Sequence, residues 1–129
     1  MRKLLLLLSF CFALTAGQAA PKSDAVAAAP AAPTSIVHVV TVSWKHGTTP
    51  EQIKAALDGA RALPSAYPGI THVWTKTLKA QGDRSNAIVM EFTDAAAFKA
   101  YTGSAAQKAW YQVYLPIRDH STTFDVTND

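Results

Sequence analysis

The sequence predicts an α+β domain in which strands and helices follow the order βαββαβ. Three observations predict it: a run of β-branched residues from Ile36 to Trp44, a well-defined helix start at Thr49, and a strand–strand–helix–strand series after Pro68. The 129 residues are enough for one domain. With a single cysteine, the chain is neither a disulfide-stapled miniprotein nor a zinc ribbon.

The first 19 residues are predicted to be an export signal. Arg2 and Lys3 precede an apolar run over residues 4–16, which has the length of a signal-peptide core and is short for a membrane span. The small residues Gly17 and Ala19 predict cleavage near Ala19. The alternative, an uncleaved anchor, is disfavoured by the short run. We therefore expect a periplasmic or extracellular protein with no stable membrane anchor.

An Ala/Pro-rich linker, residues 20–35, separates this signal from the domain, residues 36–129. Seven alanines and three prolines among residues 20–34 leave little apolar bulk to bury. Removing Arg2 and Lys3 from the count leaves ten basic against nine acidic residues. A mature chain so close to neutrality gives no electrostatic reason to expect a nucleic-acid partner.

The domain opens with a strand from Ile36 to Trp44 whose alternation places His38 and Val40 on one face. A helix follows, because Thr49 can cap it, proline occupies its first position and Gln52 completes a capping box. Apolar residues at three- and four-residue spacing form its buried stripe: Ile53, Ala56, Leu57, Ala60 and Leu63. Pro64 and Pro68-Gly69 then end this helical segment.

The second half repeats this pattern. Strands are predicted from Ile70 to Leu78, with His72 and Trp74 on the face of Ile70, and over residues 86–92. Asp94 is placed to cap a short helix that contains Phe98 and Tyr101. A further helical piece starts after residues 103–104 and ends at 115–116, and the last strand covers about residues 117–126.

This order is the ferredoxin-like arrangement, with a four-stranded antiparallel sheet. Its helices cover one sheet face only, and the other face is predicted to carry mostly apolar and β-branched residues: Val37, Val39, Val73, Thr75 and Val89. Such a face is poorly suited to water, and a domain of this size buries a modest fraction of its surface alone. We therefore expect a homodimer that forms through the sheet face.

The domain contains the following short segments, in this order and spacing: Val37-His38-Val39-Val40, Trp44-Lys45-His46-Gly47-Thr48, Leu63-Pro64, Pro68-Gly69-Ile70, Glu91-Phe92-Thr93-Asp94, Phe98 with Tyr101, Leu115-Pro116 and Phe124-Asp125. Together these segments resemble the stress-responsive A/B barrel (Dabb) family. The resemblance implies a domain that dimerises into an α/β barrel. Members of the family include plant stress proteins, plant polyketide cyclases and bacterial proteins without a known activity.

The resemblance also implies candidate site residues. In the cyclases a tyrosine at the end of the short helix and a histidine shortly after it form an acid/base pair. Tyr101 matches the tyrosine, whereas Gln107 stands at the position of the histidine. A side-chain amide cannot shuttle a proton near neutral pH, which argues against cyclase activity. His38 matches a pocket-lining histidine and Asp125 an acidic residue near the end of the last strand.

The candidate catalytic residues are therefore His38, Tyr101 and Asp125. The alternative interpretation makes His38 a half-buried strand histidine and Tyr101 a core aromatic residue. A pocket for a small apolar ligand is expected beneath the later helices, lined by His38, Val40, Trp74, Met90, Phe98, Tyr101, Gln107 and Trp110. No two histidines have the local spacing of a metal site, so neither metal nor cofactor is predicted.

Two functions remain open. The favoured one is an exported, homodimeric protein that binds a small ligand or contributes to stress tolerance without catalysis. The alternative is a pocket enzyme, cyclase- or monooxygenase-like, acting on a small aromatic or polyketide-type compound. In that case His38 would serve as the base, Tyr101 as the proton or hydrogen-bond donor, and Gln107 would orient the substrate.

Overall fold

The strands and helices follow the predicted order. The computed structural model describes residues 31–80 and 82–128. In chain order the elements are β1 Ile36–Trp44, α1 Pro50–Arg61, α2 Leu63–Ala66, β2 Ile70–Trp74, β3 Asn86–Phe92, α3 Ala95–Tyr101, α4 Ala105–Tyr114 and β4 Arg118–Val126. The predicted export signal and the linker as far as residue 30 lie outside the described residues.

The four strands form one sheet in the order β2-β3-β1-β4, and every neighbouring pair is antiparallel. This is the ferredoxin-like topology, so the predicted fold class is confirmed. The helices pack on one face of the sheet. The core lies between the two layers, where Val42, Ile88, Met90 and Phe92 are fully buried.

Polar caps define where the helices begin. At α1 the Gln52 amide N–H donates to Thr49 Oγ1 at 3.3 Å, and the Thr49 amide N–H donates to Gln52 Oε1 at 2.9 Å. This is the predicted capping box, and it satisfies two backbone donors that a helix start otherwise leaves unpaired. At α3 the Ala97 amide N–H donates to Asp94 Oδ1 at 2.8 Å, so Asp94 is the predicted cap.

The strand β2 departs from the prediction in both length and phase. It ends at Trp74 rather than Leu78, and its register with β3 shifts between Ile70, which pairs with Phe92, and His72, which pairs with Glu91. This irregularity reverses the alternation that the sequence suggested. His72 and Trp74 consequently lie on the face away from the helices.

The same shift corrects the predicted composition of that outer face. Val73 pairs with the fully buried Met90 and therefore belongs to the helix side. Thr75 is also buried and accepts a hydrogen bond from Arg61 of α1, with Nη1 and Oγ1 2.6 Å apart. Neither residue contributes to the outer face, contrary to the prediction.

The face without helices, called here the open face, carries two cross-strand rows. Strand register places Trp74, Val89, Val39 and Phe124 in one row, and His72, Glu91, Val37 and Val126 in the next. Trp74 is 51% and Phe124 60% exposed. The second row carries charge, because Glu91 accepts a hydrogen bond from the Ser35 hydroxyl at 2.7 Å and pairs with His72 at 2.7 Å.

The two ends of the described domain meet beside this sheet. The Asn128 side-chain amide donates to the Pro33 carbonyl oxygen at 2.7 Å. The contact follows from the topology, because β1 and β4 are antiparallel neighbours and Val37 pairs with Val126. The residues that enter β1 therefore lie next to those that leave β4.

Candidate functional site

A cavity of about 250 Å³ lies between the helices α3 and α4 and the β1–β4 half of the sheet. Its lining comprises His38, Val40, Phe98, Tyr101, Thr102, Gln107, Trp110, Tyr111, Tyr114, Arg118, Ser121 and Thr123. Ser121 and Thr123 reach it because they pair with Val42 and Val40, whose side chains face the helices. Polar residues of β4 thus occupy the inward side of the sheet at this point.

Six of the eight residues predicted to line a pocket do line this cavity: His38, Val40, Phe98, Tyr101, Gln107 and Trp110. Met90 does not line it, because its side chain is fully buried in the core. Trp74 does not line it either, because the register shift in β2 turns it to the open face, where it stacks on His72 at 5.6 Å between ring centroids.

His38 and Asp125, two of the three catalytic candidates, are in contact. They are paired residues of β1 and β4, and His38 Nδ1 lies 2.6 Å from Asp125 Oδ1. The carboxylate thereby orients the imidazole, whose side chain is 19% exposed and packs beside Phe98 at 5.6 Å. The Nε2 atom has no hydrogen-bond partner among the described residues, so it is the ring nitrogen left for a ligand.

Tyr101, the third candidate, is buried at the end of α3 and packs against Phe92 at 5.3 Å. Its hydroxyl has no hydrogen-bond partner within the described part of the chain. Burial raises the pKa of this phenol well above its ordinary value, and the neighbouring Tyr111 adds to the rise. At neutral pH Tyr101 is therefore a hydrogen-bond donor and not a base.

Gln107 has a structural task at the start of α4. Its amide N–H donates to Ser104 Oγ at 3.1 Å, and its side-chain oxygen accepts from the Gly103 N–H at 2.7 Å. Its side-chain nitrogen donates to the Tyr111 hydroxyl at 3.2 Å. Ser104 and Gln107 have the spacing of a capping box, which is visible in the sequence. This capping role accounts for a glutamine at position 107 without any catalytic role.

Sequence reasoning missed the tyrosines of α4 and the polar residues of β4. Tyr111 and Tyr114 follow Gln107 by four and seven residues and therefore lie on the same helix face. Ser121 and Thr123 alternate with the outward-facing Thr122 and Phe124 and share the face of Asp125. These periodicities are visible in the sequence, but the predicted pocket included only Gln107 and Trp110 of α4.

Neither a metal centre nor a membrane span is found within residues 31–80 and 82–128. No three His, Cys, Asp or Glu side chains of these residues are grouped so that they could hold a metal ion. No helix of this part of the chain is both long enough and apolar enough to cross a bilayer.

The fold and the cavity together define a ferredoxin-like domain with a ligand-sized chamber between its sheet and its later helices. The model of the Stress responsive A/B Barrel Domain family matches residues 36–128, and the chain belongs to this family. Among curated proteins, none matches the sequence.

Solved structures with the same fold include proteins from bacteria and from plants. A Dabb family protein from Mesorhizobium loti is 25% identical, with a TM-score of 0.62 over 74% of this chain and 97% of its own. A dimeric ferredoxin-like protein of unknown function from Thermobifida fusca is 20% identical, with a TM-score of 0.62 over 72% and 90%. The hydroxynitrile lyase from Passiflora edulis is 14% identical, with a TM-score of 0.67 over 75% and 95%.

Proposed function

We propose that this chain is an exported, homodimeric Dabb-family protein that binds a small molecule in the cavity beneath α4. The observation that carries the proposal is the inverted polarity of β4. Ser121 and Thr123 lie on the helix side of the sheet and line the cavity, whereas Phe124 and Val126 are exposed on the open face. A strand that serves packing alone places its apolar residues inward and its polar residues outward.

The size of the cavity also supports a ligand. A cavity of about 250 Å³ is larger than the roughly 150 Å³ that holds benzene, so a one-ring compound fits it.

The open face supports the homodimer. Large apolar side chains, Trp74 and Phe124, flank the valines of one continuous cross-strand row. A second copy of the same face would remove this row from water and extend the buried core. The similar proteins from Bacteroides fragilis and Thermobifida fusca are described as dimeric.

Export is supported by the first 19 residues alone. The basic start, the apolar run over residues 4–16 and the small residues at Gly17 and Ala19 favour cleavage near Ala19. Cleavage there would remove Cys11, the only cysteine of the chain, which suits an oxidising compartment. N-terminal sequencing of protein from the host's envelope or medium should begin at Ala20, and an intact Met1 would contradict export by cleavage.

Native mass spectrometry of protein purified from its own host tests the binding role and the dimer together. We expect a dimer that carries a small-molecule adduct. A fragment screen followed by amide chemical shifts should then locate binding at the cavity. Thr123→Phe fills the cavity and should abolish the shifts, whereas Thr122→Phe on the opposite face of β4 should preserve them. Equal binding by both variants would refute a ligand in this cavity.

An acid–base enzyme is the second candidate, favoured by the 2.6 Å contact of His38 Nδ1 with Asp125 Oδ1 at a cavity that Tyr101 also lines. Here His38 Nε2 would accept a proton, and Tyr101 would donate a hydrogen bond to a developing oxyanion once a shift of its ring brings the buried hydroxyl into the cavity. Gln107 cannot relay the proton, and its side chain is already engaged in the start of α4. The chemistry would therefore depend on the histidine–aspartate pair.

Turnover of linear aryl polyketide thioesters, followed by mass spectrometry of cyclised products, tests this second candidate. His38→Ala and Tyr101→Phe should then abolish turnover but leave the dimer and its melting midpoint nearly unchanged. If both substitutions instead cause a large loss of stability and no turnover is seen in the parent protein, the two residues have a structural role.

A further inference from the structure

The cavity has an uneven distribution of charge. Among its lining residues, Arg118 carries a permanent positive charge, whereas no aspartate or glutamate lines it. Arg118 also differs from Lys54, Arg61 and Arg84, which pair with Asp58 or Asp83. Within the described residues, no carboxylate lies in ion-pair contact with the Arg118 guanidinium. A half-buried cation without a counter-charge attracts an anion more strongly than an exposed one.

Two hydroxyls accompany this guanidinium. Arg118 Nη1 donates to Ser121 Oγ at 3.4 Å, which leaves most of its N–H donors unused. Its central carbon lies 5.8 Å from the centroid of the Tyr114 ring. The Tyr114 hydroxyl is enclosed beside these two groups: burial raises its pKa, and hydrogen bonding with Ser121 and the charge of Arg118 oppose the rise. The Arg118 guanidinium and the Ser121 hydroxyl therefore offer donors at one end of the cavity.

Aromatic rings continue from this end beneath α4. Trp110 and Tyr114 are stacked, with 4.6 Å between ring centroids and 13° between planes, and Tyr111 lies beside them at 5.5 Å from Trp110. All three line the cavity. Flat walls of this kind favour a planar ligand, because an aromatic ring gains both buried area and favourable ring–ring geometry against them.

We propose that the Arg118 end of the cavity is an anion subsite and that the ligand is a one-ring aromatic carboxylic acid bound as its anion. This inference rests on the ligand-binding role proposed above and names its chemical class. A guanidinium presents parallel N–H donors that match the two oxygens of a carboxylate, and the Ser121 hydroxyl can add a further donor. Because Arg118 supplies a single positive charge at this end of the cavity, a ligand with one negative charge is neutralised there more completely than a ligand with two.

The anion subsite is separate from the His38–Asp125 pair. Ser121, which marks the position of the guanidinium, precedes Asp125 by four residues of β4, or about 13 Å at roughly 3.3 Å per residue. A one-ring acid bound at Arg118 therefore does not bring its carboxylate against Asp125. Binding at Arg118 can accordingly be tested without disturbing the candidate acid–base residues.

The test uses two matched pairs of probes on protein purified from cells that express the full-length chain. Benzoate is compared with benzamide, and phenylacetate with phenylacetamide, because each pair shares its size and ring and differs in charge. Binding is followed by tryptophan fluorescence and by amide and guanidinium chemical shifts of Arg118 and Ser121. Arg118→Gln removes the charge, Arg118→Lys keeps the charge without the planar fork, and Lys54→Gln is the control for net charge.

We expect the acids to bind at least about tenfold more tightly than their amides. Arg118→Gln should remove this preference, Arg118→Lys should weaken it, and Lys54→Gln should preserve it. If Arg118→Gln fails to fold, the preference for acid over amide is compared between Arg118→Lys and Lys54→Gln, and a weaker preference in Arg118→Lys alone supports the subsite. Equal binding of acids and amides, an unchanged preference in Arg118→Lys, or no shift at Arg118 and Ser121 overturns the subsite. The fragment screen with Thr123→Phe judges the binding role independently.

Discussion

Phe124→Asp is expected to dissociate the proposed dimer. The Phe124 side chain is 60% exposed in the single chain and lies in the apolar row of the open face. A phenylalanine side chain offers about 200 Å², so about 120 Å² of it is available for burial between two copies. At about 25 cal/mol per Å² this is about 3 kcal/mol per protomer and about 6 kcal/mol per dimer as an upper bound. The aspartate would also be desolvated, so we expect a dissociation constant at least about a thousandfold higher.

Sedimentation velocity over a series of protein concentrations measures this effect, and circular dichroism checks that the monomer stays folded. Leu78→Ser is the control, because Leu78 is 88% exposed but lies after β2 and outside the rows of the open face. This control should leave the dissociation constant within a few-fold of the parent value. An unchanged dimer in Phe124→Asp, or equal dissociation in Leu78→Ser, would refute the assignment of the open face as the interface.

Three further predictions concern stability. Hydrogen bonding, first of all from the Ser35 hydroxyl, lowers the pKa of Glu91 in the folded protein. The ionised carboxylate therefore stabilises the fold fully above the pKa of the unfolded chain, and this stabilisation is lost as pH falls through the lower pKa of the folded state. Melting midpoints measured downward from about pH 5 should therefore fall less steeply in Glu91→Gln than in the parent protein, and parallel curves would contradict this. Thr49→Ala removes one half of the α1 capping box and should cost about 1 kcal/mol in urea unfolding, whereas Thr49→Ser should cost little. Gly69→Ala would place a Cβ 2.5 Å from the Tyr67 ring, so we expect a loss of about 2 kcal/mol by the same assay, and a neutral result would show that the ring moves aside freely.

Local signals made most of the fold predictable. The bounds of β1 were predicted correctly because nine residues dense in β-branched side chains have one favourable conformation. The start of α1 was predicted because the capping box is a property of four consecutive residues, Thr49 to Gln52. These features require no knowledge of distant parts of the chain.

The errors arose where pairing between strands decides the structure. The register shift between Ile70 and His72 depends on how β2 pairs with β3. No proline or glycine inside β2 indicates such a shift in the sequence. Trp74 was therefore assigned to the wrong face. The contact between His38 and Asp125 could be suggested from the sequence but not established, because it depends on the register of β1 with β4 across 87 residues of chain.

The candidate site was half predictable for a related reason. Its β1 and α3 residues were found, whereas Tyr114 and Arg118 were missed because both look like ordinary core or surface residues in the sequence. What distinguishes Arg118 is a missing counter-charge: its half-buried guanidinium lines the cavity and makes no ion pair with a carboxylate of the described residues. A missing counter-charge can be recognised only when the positions of the surrounding side chains are known.

The contact between Asn128 and Pro33 suits the domain to circular permutation. Because the two ends of the domain touch, a short peptide could join residue 128 to residue 33 without crossing the sheet or the cavity. New ends could then be opened at the turn around Gly82, an exposed position with positive φ between β2 and β3. The circularly permuted chain would begin with β3 and end with β2. It should keep the cavity and the open face, since the strand order in space would be unchanged.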